Sequence, residues 1–251
     1  MADVSWHRRR SDADFVAMVK DLIMAGPIAE RELVAALPDV SAPRRLTVVA
    51  ALGDAQGEVG PHALRQVLAD PKATIDTRCA ALLALAKRDG VGASPELADH
   101  LNHRSRSVRS YAMRGLAVVG DDRAWTTAIQ LLRRLLNRPT PTHIPIHTPL
   151  LNRPVSTVAP PKTPSLSAMF EAMVTITYLV RHLDDPAAPR RDELVRLLRA
   201  RFDRFHRPEQ DFLIRYWPGC QPDGPDPQQL DNPDPAPFRA WARDPLFGPI
   251  F

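Results

Sequence analysis

The sequence predicts an all-α fold, a right-handed α-solenoid of about five stacked helical hairpins. The pattern Arg-x2-small-x3-Leu recurs three times, at spacings of 33 and 31 residues. No stretch shows the alternation of apolar and polar residues that is typical of a half-buried strand. Of the 26 prolines, 18 lie in residues 138–164 and 208–251, so the remaining chain can form helices.

Each copy of the pattern predicts the first helix of a hairpin. Positions i, i+3 and i+7 share one helix face, and the small residue lets a neighbouring helix approach closely. The copies are Arg45, Val48 and Leu52; Arg78, Ala81 and Leu85; and Arg109, Ala112 and Leu116. Glycines end these helices, at Gly53, Gly90 and Gly120.

Leucines at i and i+4 predict the second helices. These pairs are Leu33 with Leu37, Leu64 with Leu68, and Leu97 with Leu101, while the fourth unit has Ala128 with Leu132. Pro61 and Pro95 fit the first turn of such a helix. A helix over residues 12–25 completes the first hairpin, and residues 165–183 and 190–205 form the fifth.

Two proline-rich segments are predicted to lie outside the repeats. Residues 138–164 contain eight prolines and form an insertion before the last hairpin. Residues 206–251 form a mostly irregular, acidic and aromatic tail, so the predicted domains are 1–205 and 206–251. We favour a tail that folds back to cap the open end of the stack, because a terminal repeat otherwise exposes its core face. A docking peptide is the alternative.

The repeated Arg-x2-small-x3-Leu pattern and the leucine pairs of the second helices resemble HEAT repeats, in particular the short bacterial kind also found in phycobilin lyases. The resemblance covers about residues 30–137 and implies an α-solenoid without a particular activity. It also implies a structural ladder between neighbouring repeats, built from Asp39, Arg45, Arg78 and Arg109. Lys72 and His103 occupy the acidic positions before Arg78 and Arg109, so one rung is supported. An anion-binding row is the alternative for these arginines.

Charge indicates a candidate binding groove. The formal net charge is +4, and 29 of the 33 basic residues are arginine. The later second helices are expected to place arginines on the concave face, namely Arg133, Arg134, Arg196, Arg199, Arg201 and Arg204. The earlier ones offer Glu30, Glu32, Glu96 and Asp99. Such a groove suits a peptide, an acidic protein or a nucleic-acid backbone, and a solvated charged face is the alternative.

Signatures of catalysis are missing from the sequence. It contains no glycine-rich phosphate loop, no Gly-x-Ser-x-Gly elbow and no His-Glu-x-x-His helix. Cys79 is expected to fill the core, although its neighbour Arg78 leaves an activated thiolate as the alternative. The histidine pairs His100/His103 and His143/His147 lack further ligands at recognised spacing, so neither a metal nor a cofactor is predicted.

The sequence therefore predicts a non-catalytic scaffold or adaptor that binds a protein or peptide through the concave face and the insertion. Without a signal-peptide core or a long apolar run, it is expected to be cytoplasmic. The alternative is nucleic-acid binding, including excision of alkylated bases, because HEAT-like DNA glycosylases use Trp, Asp and Arg. The same three residue types occur together in this sequence, as Trp125, Asp121, Asp122 and Arg123. A phycobilin-lyase-like function comes third, by analogy alone.

Overall fold

The computed structural model describes residues 11–137, 166–180 and 190–224. Within these ranges the regular structure is helical and no strand occurs, so the predicted all-α class is confirmed there. The proline-rich insertion at 138–164 and the tail beyond residue 224 lie outside the described residues. None of the described helices is long and apolar enough to cross a membrane.

The chain divides into two compact units. The described part of the first unit is residues 11–127, and that of the second is residues 128–137, 166–180 and 190–224. The first unit contains seven complete described helices. They are α1 (Asp12–Met24), α2 (Pro27–Ala36), α3 (Ala42–Leu52), α4 (Gly60–Ala69), α5 (Ile75–Asp89), α6 (Ser94–Asp99) and α7 (Arg106–Val119). Helix α8 (Trp125–Leu136) begins in the first unit and lies mostly in the second.

Local sequence explains where these helices begin and end. The side chains of Ser11 and Thr74 accept hydrogen bonds from the first turns of α1 and α5, as N-caps do. Pro61 and Pro95 lie in the first turns of α4 and α6, as predicted. Gly120 ends α7 with φ 80°, a left-handed conformation that glycine adopts without strain.

The first helices of the hairpins pack on one another in order: α1 on α3, α3 on α5, and α5 on α7. Helix α2 packs on α1, α3 and α4, and α6 packs on α7. The small and leucine positions of the repeated pattern form the buried faces. Val48, Leu52, Ala81, Leu85, Ala112 and Leu116 are all 0% exposed. The pattern therefore correctly predicted which face of each first helix enters the core.

In the second unit, α8 is followed by α9 (Leu166–Val180), α10 (Arg191–Ala200) and α11 (Arg207–Tyr216). Helix α9 packs against α10 and α11, and a 3₁₀ turn at Pro218–Cys220 packs against α10 and α11. Tyr178 and Phe205 are fully buried in this unit. Helices α9 and α10 occupy the segments predicted for the fifth hairpin.

Helix α11 corrects the prediction of an irregular tail from residue 206. Pro208 occupies the first turn of α11. His206 and Glu209 form a capping box, in which the His206 N–H donates to Glu209 Oε2 at 2.9 Å. Leu213 is 0% exposed and Trp217 is 6% exposed. A strong helix start and a buried apolar face therefore outweigh the high proline content of this segment.

Candidate functional site

Two arginines of the repeated pattern bond to the end of the preceding second helix. The Nε of Arg45 donates to the Leu37 carbonyl oxygen at 3.1 Å, at the C-terminus of α2. Arg78 donates through Nη2 to the Asp70 carbonyl at 2.9 Å and through Nη1 to the Leu68 carbonyl, both at the end of α4. Each bond links a second helix to the next first helix.

Arg109 repeats this contact one hairpin later. Its Nη1 donates to the carbonyl oxygens of His103 at 2.9 Å and Arg104 at 3.2 Å, just after the 3₁₀ turn His100–Asn102 that follows α6. The last carbonyls of a helix lack intrahelical partners and carry partial negative charge, so a guanidinium group there is stabilising. We call these contacts of Arg45, Arg78 and Arg109 the arginine joints. The Asp39–Arg45 rung of the ladder stays a prediction.

Replacing Arg78 with methionine is expected to lower the free energy of unfolding by about 1–2 kcal/mol, because two carbonyls at the end of α4 lose a charged donor. Urea denaturation followed by circular dichroism measures the change. Arg31→Met, at an exposed position on α2, is the control and should change stability by less than about 0.5 kcal/mol. Equal losses in the two variants would contradict a structural role for the joint.

Three ion pairs connect equivalent positions in successive hairpins. Their sequence separations are 32, 33 and 31 residues, which match the repeat spacing. The pairs are Asp12 with Arg44, Asp54 with Lys87, and Arg65 with Glu96. Each is at least partly exposed, so its contribution to stability is about 0–1 kcal/mol. They show that residues one repeat apart in the sequence are in contact in the structure.

Glu30 is buried and forms an ion pair across three hairpins. Its side chain is 0% exposed. Arg88 on α5 donates through Nη2 to Glu30 Oε1 at 2.8 Å, and the Val59 N–H donates to Oε2 at 3.0 Å. The same Arg88 Nη2 also donates to the Gly57 carbonyl. One carboxylate on α2 thus holds the α3–α4 loop and the end of α5.

At two positions, the loop around the Glu30 carboxylate has no room for a residue larger than glycine. A Cβ atom at Gly57 or Gly60 would overlap the Glu30 carboxylate. We call Glu30, Arg88, Gly57, Val59 and Gly60 the glutamate clamp. The expectation that Glu30 lies on an acidic groove is therefore wrong, because tertiary packing places its charge in the core.

The six arginines predicted to bind a partner all lie in the second unit. Arg133 and Arg134 are exposed on α8. Arg196 and Arg201 are exposed on α10 and at its end. Acidic side chains share this exposed surface of α10 and the following turn, namely Asp192, Glu193 and Asp203. The surface of α10 is therefore of mixed charge.

Arg199 and Arg204 are partly buried. Arg199 donates through Nε to the Gly219 carbonyl at 2.7 Å and through Nη2 to the Gly224 carbonyl at 3.3 Å. The Nε of Arg204 lies 3.6 Å from Asp203 Oδ2. Arg199 therefore holds the turn after α11 onto α10, a structural contact that the sequence did not indicate.

Both cysteines are buried thiols. Burial, together with the nearby Asp76, raises the pKa of Cys79 to about 12 against the opposing effect of Arg78. Burial likewise raises the pKa of Cys220 to about 12. Both groups are therefore protonated at neutral pH, so the expectation that Cys79 fills the core is confirmed and an activated thiolate is contradicted.

The native protein is expected to react very slowly with a thiol-specific disulfide reagent. At pH 8, a pKa of about 12 leaves about one thiol in 10,000 ionised, and raising the pH to 9 leaves this fraction below about 1%. The reaction rate is measured from the absorbance of the coloured thiolate that the reagent releases, and glutathione is the control. After urea unfolding both cysteines should react. Rapid modification of either cysteine in the native protein would contradict the assignment.

His100 and His103 stack with ring centroids 6.3 Å apart. The Nδ1 of His103 accepts a hydrogen bond from the Ser105 N–H at 3.0 Å. A neutral ring with an accepting Nδ1 carries its proton on Nε2, which then offers no lone pair to a metal. Among the described residues, no group of three or more His, Cys, Asp or Glu side chains could hold a metal ion. His143 and His147 lie outside those residues.

The residues considered for base excision form the turn between α7 and α8. Asp121 Oδ1 accepts a hydrogen bond from the Arg123 N–H at 2.8 Å, and the Asp122 carbonyl accepts one from the Trp125 N–H at 2.9 Å. Trp125 is partly buried. These contacts shape the turn and leave the base-excision hypothesis a prediction.

Comparison with known proteins finds no matching family model, no matching curated protein and no matching solved structure.

Proposed function

We propose that the chain is a non-catalytic scaffold or adaptor that binds a protein or peptide partner, and that residues 11–127 form a right-handed, HEAT-like α-solenoid. The observation that carries the proposal is the repetition of contacts at the repeat spacing. The arginine joint occurs three times, and three ion pairs separated by 31–33 residues join successive hairpins. Stacked repeats of this kind present long exposed faces to partners.

The chemistry of the first unit also supports binding rather than catalysis. The buried carboxylate of Glu30 is held by Arg88 and the Val59 N–H. Burial keeps the Cys79 thiol protonated. These two groups are therefore engaged in the core and are not presented at the surface as a base or a nucleophile.

The exposed faces of α2 and α4 are the proposed contact surface. These two second helices pack on each other. Their exposed positions follow helical spacing, with Ile28, Arg31 and Ala35 on α2 and His62, Gln66 and Ala69 on α4. Ile28 is 80% exposed, although burying a large aliphatic side chain is favourable. A partner segment that covers this face would supply that burial.

Affinity capture with the full chain as bait tests the proposal. The double variant Arg31→Glu with Gln66→Glu changes the face of α2 and α4, and the control is Lys20→Glu, at an exposed position of α1. We expect the same partner to be enriched by the wild type and the control and lost by the double variant. A second arm deletes residues 140–162, and we expect this deletion to weaken capture. The absence of any specifically enriched protein would contradict the scaffold proposal.

The mixed charge of α10 favours a protein partner over a nucleic acid. Nucleic-acid binding requires several cations facing the phosphate backbone, and its affinity falls steeply with salt. Arg196 and Arg201 share the exposed surface with Asp192 and Glu193. Duplex DNA that binds the full chain tightly, with a steep salt dependence, would support the alternative instead.

A further inference from the structure

The segment between α6 and α7, together with the first turn of α7, is strongly basic. Residues 100–109 contain three arginines and two histidines and no acidic residue. Arg104 and Arg106 are exposed, whereas His100 and His103 are partly buried. With both histidines neutral, the three arginines give this segment a formal charge of +3, against +4 for the whole 251-residue chain.

A second turn lies at the same edge of the first unit. Helices α5 and α7 pack together, and a Cβ atom at Gly115 would lie 3.4 Å from the Ala86 Cβ, so their C-terminal halves are adjacent. The charge of Arg78, at the start of α5, acts on His103, just before α7. The turn before α5, which carries the exposed Lys72, is therefore beside the turn before α7.

Positively charged neighbours act on His103 at this edge. Its pKa is lowered, first by desolvation and then by the positive charges of Arg78, His100 and Arg104. Asp70 and Asp76 balance Lys72 and Arg78 in the neighbouring turn. The surplus of positive charge thus comes from the α6–α7 segment.

The size of this surface favours a short acidic peptide over a nucleic-acid duplex. Tight duplex binding engages about 6–10 phosphates. Lys72, Arg104 and Arg106 are exposed here, and nearby acids offset the charge of Lys72, so the surface offers fewer cations than a duplex engages. Arginine binds carboxylates through two parallel hydrogen bonds, so two or three carboxylates of an extended segment can engage a surface of this size.

We propose that the basic edge formed by Lys72, Arg104 and Arg106, beside His100 and His103, binds an acidic peptide segment of the partner. This inference rests on the proposed scaffold function and adds the chemical class of the ligand and a second contact surface. Complementary charge at such a surface accelerates encounter and selects the partner.

Fluorescence anisotropy with the full chain tests this inference. The probe is a labelled peptide of about 12 residues rich in Asp and Glu, compared with a peptide in which Asn and Gln replace the acids and with a single-stranded DNA of the same length. The variant is Arg104→Glu with Arg106→Glu. The matched control is Arg133→Glu with Arg134→Glu on α8, which changes the net charge equally, and circular dichroism verifies that both fold.

We expect the acidic peptide to bind at about 20 mM salt and more weakly at about 200 mM, where screening is stronger. The Arg104/Arg106 variant should bind at least about tenfold more weakly, and the α8 control within about twofold. No binding at low salt, equal weakening by both variants, or tighter binding of the DNA would overturn the inference. A partner captured by the full chain and unaffected by the Arg104/Arg106 variant would overturn this inference and leave the scaffold function standing.

Discussion

Replacing Arg88 with methionine is expected to lower the free energy of unfolding by about 3–5 kcal/mol. The Glu30 carboxylate is 0% exposed, and Arg88 is its ion-pair partner at 2.8 Å. Without Arg88, the buried Glu30 carboxylate loses its positively charged partner. Among the described contacts it keeps the hydrogen bond from the Val59 N–H. Urea denaturation followed by circular dichroism, with linear extrapolation to water, measures the loss.

Two further variants show whether this loss arises from the buried charge. Glu30→Met with Arg88→Met removes both charges and should be more stable than Arg88→Met alone by at least about 1 kcal/mol. Arg207→Met removes an exposed ion pair with Asp211 on α11 and should lower stability by less than about 1 kcal/mol. A loss in Arg88→Met no larger than that in Arg207→Met would contradict the glutamate clamp.

Replacing Gly53 with alanine is expected to lower the free energy of unfolding by about 1–3 kcal/mol. A Cβ atom at this position would lie 2.9 Å from the Ala84 Cα, 3.0 Å from the Ala84 Cβ and 3.0 Å from the Ala50 carbonyl oxygen. Because two of these atoms belong to the backbone, α3 and α5 must move apart. The same urea experiment measures the change.

Gly92→Ala is the control for this variant. Gly92 is exposed, and the three atoms nearest to a Cβ atom there belong to the Asp89 carboxylate, which is the end of a side chain. We expect a change of less than about 1 kcal/mol. Equal losses at Gly53 and Gly92 would show that the approach of α3 to α5 does not require glycine.

Local patterns in the sequence predicted most of the helices and their buried faces. The spacing of Arg78, Ala81 and Leu85 is set within one helix, so it predicts which side of α5 enters the core. Pro61 and Pro95 mark helix starts through their own fixed φ and missing N–H. These features can be read from the sequence because their physical causes lie within a few neighbouring residues.

The predictions about charge were less successful, because charge depends on what surrounds each residue. Glu30 resembles an exposed acid on a second helix, yet Arg88 and the Gly57–Gly60 loop enclose it. These two charges are 58 positions apart in the sequence, so no local pattern joins them. The nearest signal was the pair of glycines at 57 and 60, which leave space for the carboxylate.

Gly53 shows the same division between local and tertiary causes. The sequence suggested that it ends α3, and α3 does end there. Its φ of −69° is open to any residue, so the helix end itself does not require glycine. The requirement comes from Ala84 on α5, which approaches Gly53 only after the hairpins have stacked.

The sequence by itself determined the helical class, the repeat spacing and the apolar face of each first helix. These follow from periodicity and from the turn residues, which act over one or two helical turns. Tertiary structure alone decided that the three repeat arginines bond to main-chain carbonyls, that Glu30 is buried, and that Arg199 holds the turn after α11. The physical reason is that a polar side chain takes its role from the partners that the fold brings to it.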